Sequence, residues 1–166
     1  MCGPDQSTKP RGGALVVLTN AMAQEQTDGC AWSGELNFHT PGKPESGLAT
    51  HLRVTAGHDS SLDTLSDAVV LIHKSGDLSK PTRECGLLRT FTLTHAAQLE
   101  DGAALELELT TPISIQVGDD GIIGRRVSIF RQAADSDFEG LGPSMAEGIV
   151  GFNFMPLSRD TSPDSL

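Results

Sequence analysis

Between residues 104 and 110 the chain alternates leucine with charge, so that Leu105, Leu107 and Leu109 fall on one side of an extended backbone and Glu106 and Glu108 on the other. A period of two belongs to a strand with one wet face, whereas a helix would scatter the leucines around its axis. The same alternation recurs upstream, where Phe91 and Leu93 oppose Thr90, Thr92 and Thr94, and the β-branched threonines favour extended backbone. With Asp101-Gly102 between them as a turn signal, residues 87–95 and 104–110 read as a hairpin.

Further strands follow from the same pattern. After Pro112, Ile113, Ile115 and Val117 alternate with Ser114 and Gln116; Asp119-Asp120-Gly121 offers a turn, and Ile123, Val127 and Ile129 continue against Arg126, Ser128 and Phe130. These read as a second antiparallel pair. Trp32, Leu36 and Phe38 share a face opposite Ser33, Glu35, Asn37 and His39, and Leu48, Leu52 and Val54 share one opposite His51, Arg53 and Thr55. Residues 13–19 read as the first strand, the apolar run 69–72 as a strand covered on both faces, and Val150, Phe152 and Phe154 as inward positions of a closing strand. Helical spacing is confined to 60–67 and 145–149, a turn or two each. The expectation is an all-β antiparallel β-sandwich of about eight or nine short strands, with a small closed β-barrel as the alternative and at most one or two short helices.

Length and composition fit this frame. A chain of 166 residues is of single-domain size, and 18 glycines suit a turn-rich meander. The expected organisation is a flexible start over 1–12, one β domain over 13–157 and an acidic, disordered tail over 158–166, rich in Ser, Asp and Pro. Residues 1–23 also read as a segment that export would remove, since Lys9 and Arg11 precede a short apolar stretch and Ala21-Met22-Ala23 has the small-x-small form of a cleavage site. Cleavage would remove Cys2 and leave Cys30 and Cys85 as a disulfide candidate. A secreted or periplasmic protein is one expectation, and a cytoplasmic one with buried thiols the other.

Charge narrows the partners. The formal net charge is −10, of which residues 1–83 carry −2 and residues 84–166 carry −8. Such a surface speaks against sequence-independent binding to nucleic acid, which depends on basic groups displacing counterions. No apolar run approaches the length of a membrane-spanning helix, so no membrane insertion is expected. The expected partner is a protein or polymer met through a sheet edge or loops, with a homo-oligomer as a further option.

Candidate chemistry is sparse. The sequence holds no Gly-x-Ser-x-Gly elbow, no phosphate-binding loop, no Cys-x-x-Cys and no His-Glu-x-x-His. Asp135, Asp137 and Glu139 before Gly140 have the opening spacing of a calcium loop, but the twelfth position is Ala146 and Pro143 interrupts the loop. No cofactor is expected, with calcium at these carboxylates as the exception to test. Paired strands would bring His39 and His51 together on the wet face with Arg53 and Glu35, a ligand-binding candidate in which Glu35 holds a histidine for acid-base work. Trp32 is expected in the core near Cys30 and Cys85. Arg125, Arg126 and Arg131 are expected to pair with Glu106 and Glu108 across strands. The favoured function is a non-enzymatic binding, adhesive or assembly module; the alternatives are a small β-barrel isomerase, cyclase or hydrolase with a His/carboxylate site, and a shell or capsid-type subunit.

Overall fold

The computed structural model describes residues 12–20, 32–99, 102–132 and 144–153. Among these residues nine strands form: β1 (Ala14–Leu18), β2 (Gly34–His39), β3 (Leu48–Ala56), β4 (Ala68–Ile72), β5 (Arg89–Thr92), β6 (Ala97–Gln98), β7 (Ala104–Ser114), β8 (Arg126–Arg131) and β9 (Ala146–Phe152). Every strand pairing is antiparallel, and the order β5-β4-β8-β9-β1-β2-β3-β7-β6 makes one continuous sheet. The all-β expectation with few helices therefore holds, and the sheet curls into a half-barrel that lies between the two arrangements the sequence left open.

The curl is visible in two places. Phe38 of β2 and Phe91 of β5 bring their ring centroids to 6.4 Å although four strands separate them in the sheet. The first and last strands of the order, β5 and β6, are joined by residues 93–96 alone. The chain runs β1-β2-β3 as a meander, crosses to β4 and β5, returns to lay β7 outside β3, and crosses again so that β9 closes beside β1. One apolar cluster fills the concave side, drawing Val16, Leu36, Phe38, Leu52 and Val54 from one half of the sheet and Val70, Ile72, Val127 and Ile129 from the other. Trp32 is 1% exposed, as its alternation predicts, and its indole Nε1 donates to Ser61 O at 3.0 Å. Gly13 enters β1 with φ +74°, and a Cβ there would lie 2.1 Å from Phe38 O, so both backbone conformation and space require glycine.

Three pairings differ from the sequence reading. The segment 87–95 does not pair with 104–110: β5 pairs with β4, a 3₁₀ turn (Leu93–His95) ends it, and the hairpin partner of β7 is the two-residue β6. The turn itself was legible, since Gly102 adopts φ +66° and donates to Leu99 O. Pro112 does not separate two strands. β7 runs through it to Ser114, with Ala49 opposite Ile113 and His51 opposite Glu108, so the single residue Thr50 faces the four residues 109–112. Such an irregularity tolerates a proline that cannot donate to the ladder. Consequently β8 pairs with β4 and β9 rather than with 113–117, of which Ile113 and Ser114 lie against β3 and Val117 forms an isolated bridge to Ile123.

The two helical expectations resolve differently. Residues Leu62–Leu65 form a 3₁₀ turn, with the Ser61 hydroxyl accepting from Asp63 N. Residues 145–149 enter β9, where β8 and β1 on either side supply the backbone bonds that a helix would have made internally. Phe152, expected inside, is 44% exposed at the strand end. Phe154, the N-terminal 1–11 and the tail lie outside the described residues.

Candidate functional site

Direct cross-strand partners in an antiparallel sheet share a face. The registers of β2, β3 and β7 thus lay out two polar rows on the convex side: His39–His51–Glu108, and Asn37–Arg53–Glu106. His39 and His51 stand with ring centroids 6.0 Å apart. Glu106 sits between the rows, with Oε1 3.0 Å from His39 Nε2 and Oε2 3.1 Å from Arg53 Nη2. The imidazole N–H is poorly aligned on the carboxylate, so the first of these is a close polar contact rather than a well-formed hydrogen bond. His51 Nδ1 meets Thr50 Oγ1 at 2.8 Å.

Although polar, this face is largely withdrawn from water, with His39 5% and Asn37 2% exposed and the Asn37 Nδ2 buried without a hydrogen-bond partner. Burial lowers the pKa of His39 below the ordinary histidine value. The nearby carboxylate of Glu106 opposes that shift, and Arg53 and His51 reinforce it. His39 is accordingly neutral near pH 7.

His39, His51 and Arg53 are therefore brought together as the sequence suggested, but the carboxylate that touches the histidine is Glu106. Glu35 shares the convex face two positions before Asn37, in the row with Thr55. Glu106 was legible as a wet-face residue of its strand; its partnership with His39 and Arg53 was not, because it depends on β7 lying against β3. Asp135, Asp137, Glu139 and Cys30 lie outside the described residues. Cys85 is a free, buried thiol, its Sγ directed at Asp77 O and Pro81 O at 3.5 and 3.6 Å. Among the described residues no group of three or more His, Cys, Asp or Glu side chains is arranged to hold a metal ion.

A second polar cluster was not foreseen. Residues 74–88 cover the outer face of β4 and β8, and beneath them Arg126 is 2% exposed. Its Nη1 donates to Lys80 O at 2.7 Å and Asp77 O at 3.2 Å, and its Nη2 meets Glu147 Oε1 at 2.6 Å, where Ser144 Oγ also donates. The expected pairing of Arg126 with Glu106 or Glu108 is thus corrected: its strand neighbour is β9, which supplies Glu147. Arg125 instead donates to the carbonyls of Gly121, Lys74 and Asp119, and Arg131 lines a cleft with Asp63 and Asp67. His73 is fully buried beside this cluster, with Nδ1 3.0 Å from Gly86 O and Nε2 3.1 Å from Ser128 Oγ. Burial lowers its pKa, the Gly86 carbonyl opposes, Arg126 adds to the lowering and Glu147 counters it. Both ring nitrogens are occupied by the fold, so this histidine serves structure. His58 and His95 are exposed.

The molecule is, then, an antiparallel half-barrel whose polar chemistry lies outside its apolar interior. No family model matches the sequence, and no curated protein is significantly similar to it.

Proposed function

We propose that the chain is a non-enzymatic assembly module that associates with a second copy of itself through the outer face of β1 and β9. The observation that carries the reading is an apolar patch at the middle of the sheet. Val17 is 57% and Ile149 36% exposed, and continuing the register from Leu15–Gly151 and Val16–Val150 sets them directly opposite each other. Leu15 and Gly151 extend the patch, and a Cβ on Gly151 would meet only Leu15 O at 3.9 Å, so the surface there is flat and open.

Charge favours a second copy as the occupant. In a chain of net charge −10, Leu15, Val17, Ile149 and Gly151 carry no charge, with Glu35 beside Val17 at their border, so two copies meeting there set fewer like charges against each other than the acidic faces would. A two-fold contact also requires a self-complementary patch, a condition that a flat apolar surface meets. The sheet edges offer less. β5 and β6 are four and two residues long, and the outer edge of β7 is interrupted at the Pro112 irregularity, features that discourage strand addition. The apolar packing of the concave side agrees with a module that works by its surface.

Light scattering on the full chain tests this. The parent is expected at twice the chain mass at micromolar concentration and the V17K variant at the chain mass with an unchanged circular dichroism spectrum. A monomeric parent, or a V17K protein that remains dimeric, would overturn the reading.

A further inference from the structure

We propose that His39 and His51, with Glu108 as third ligand, form a site on the convex face for a divalent metal of the zinc class. The inference is independent of self-association through β1 and β9. His39, His51 and Glu108 occupy one cross-strand row on β2, β3 and β7, so their side chains leave the sheet side by side.

The partners of the two rings prepare them as ligands. Assigning each ring proton to the nitrogen already beside an oxygen places one on His39 Nε2 toward Glu106 and one on His51 Nδ1 toward Thr50 Oγ1. Each imidazole then keeps one lone pair, His39 on Nδ1 and His51 on Nε2. A histidine that binds a metal through one nitrogen while the other donates to a carboxylate or hydroxyl is the usual second-shell arrangement of zinc sites, which fixes the tautomer and raises ligand basicity. Here Thr50 plays that part for His51, and Glu106, itself held by Arg53, stands 3.0 Å from His39 Nε2, close enough to take it once the ring turns to bind and the contact aligns.

The distances suit a shared ion after a small closure. Two imidazoles on one tetrahedral zinc, with Zn–N bonds of about 2.0 Å, hold their ring centroids about 5 Å apart. The rings stand at 6.0 Å, so a rotation that moves them about 1 Å closer is enough. Glu108 is exposed and directly opposite His51, so a change of rotamer carries its carboxylate toward the ion. Among the described residues no group of three ligands is preformed, so the two rings are the half of the site that already stands together, and Glu108 completes it only on binding. The fourth position is left to water or to a ligand atom.

Calorimetric titration of the full chain with zinc chloride at pH 7.5, repeated on H51Q, E108Q, T50V and the control H95Q, tests the site. Binding of one zinc per chain is expected, with affinity falling at least tenfold in H51Q, several-fold in E108Q and about tenfold in T50V, and unchanged in H95Q. Copper(II) added to the parent should show two coordinated nitrogens by electron paramagnetic resonance, and one in H51Q. His51 is half-buried and its replacement is expected to leave the fold intact; far-ultraviolet circular dichroism verifies this, and T50V tests the site without touching a ligand. No zinc binding by the parent, or parent-like binding by folded H51Q, would overturn the proposal.

Discussion

The buried Arg126–Glu147 pair should be among the most sensitive points of the fold. The Nη2–Oε1 distance is 2.6 Å, and the two side chains are 3% and 11% exposed. Truncating Glu147 to alanine leaves the guanidinium in place, because Lys80 O and Asp77 O still hold Nη1, yet its charge loses the Glu147 carboxylate in a site that water barely reaches. Breaking such a pair from one side typically costs about 3–5 kcal/mol. Ser144 Oγ loses its acceptor as well, and the unpartnered Nε of Arg126 removes any reserve of hydrogen bonding. For a chain of this size the expected fall in Tm is roughly 10 °C. Glu147→Gln keeps an oxygen for both donors and should cost about half as much. Urea unfolding followed by Trp32 fluorescence measures the loss, and amide exchange over 74–88 reports whether the covering segment opens first, since Arg126 ties it to β8. A loss below about 1 kcal/mol in Glu147→Ala would show that the charge is solvated and refute the reasoning.

Three further outcomes follow from the same structure. His39 and His73 have folded-state pKa values below the ordinary 6.5, so below that pH the unfolded chain binds protons that the folded chain refuses; stability is full above it and is lost as pH falls, by up to about 1.4 kcal/mol per unit for each histidine. Urea midpoints measured from pH 7.5 to 5 should show this, and a flat profile would sink it. Gly34→Ala places a Cβ 2.3 Å from both Thr55 O and Trp32 Cη2 and should destabilise by about 1–3 kcal/mol, with a shift in Trp32 emission; an unaffected urea midpoint would contradict the packing. Replacing His39, Arg53 and Glu106 together by Phe, Leu and Leu should leave stability within about 2 kcal/mol of the parent, because apolar residues often substitute for buried ions without loss, while duplicating amide resonances in β2 and β3 as their register loosens. A single unchanged set of resonances would show that the register does not depend on these groups.

Strand positions were legible wherever one face is apolar and the other wet. Val16 with Val17, Leu36 with Glu35, and Leu52 with Arg53 mark the inner and outer positions of β1, β2 and β3, and the register confirms the split. The adjacency of His39 and His51 followed from pairing two consecutive strands. What the pattern could not carry was the partner of each edge. Residues 90–94 alternate correctly, but alternation is silent about which strand lies alongside, and the 3₁₀ turn at Leu93–His95 sends β5 to one end of the sheet and β6 to the other. The burial of Arg126 is hidden from the sequence for a related reason. A charged residue opposite Val127 ordinarily faces water, and only the long segment 74–88, which has no regular strand of its own to announce it, turns that outer face into a second interior.

That second interior and the His39 cluster follow one principle on opposite halves of the sheet. Each places an arginine, a glutamate and a neutral histidine where the concave core is not: Arg53, Glu106 and His39 outside β2, β3 and β7, and Arg126, Glu147 and His73 outside β4, β8 and β9. A curled sheet with apolar residues on nearly every inward position could satisfy its hydrophobic pattern in more than one strand arrangement, because leucine and valine pack tolerantly. Shifting β2 against β3 by one residue would drive His39 or Arg53 toward that apolar interior without its partner, a change costing several kcal/mol for the charge alone. The polar groups therefore need add no net stability to matter. They penalise the alternatives, and in doing so they hold His39 level with His51 and Glu108, the registration on which any ligand at that row depends.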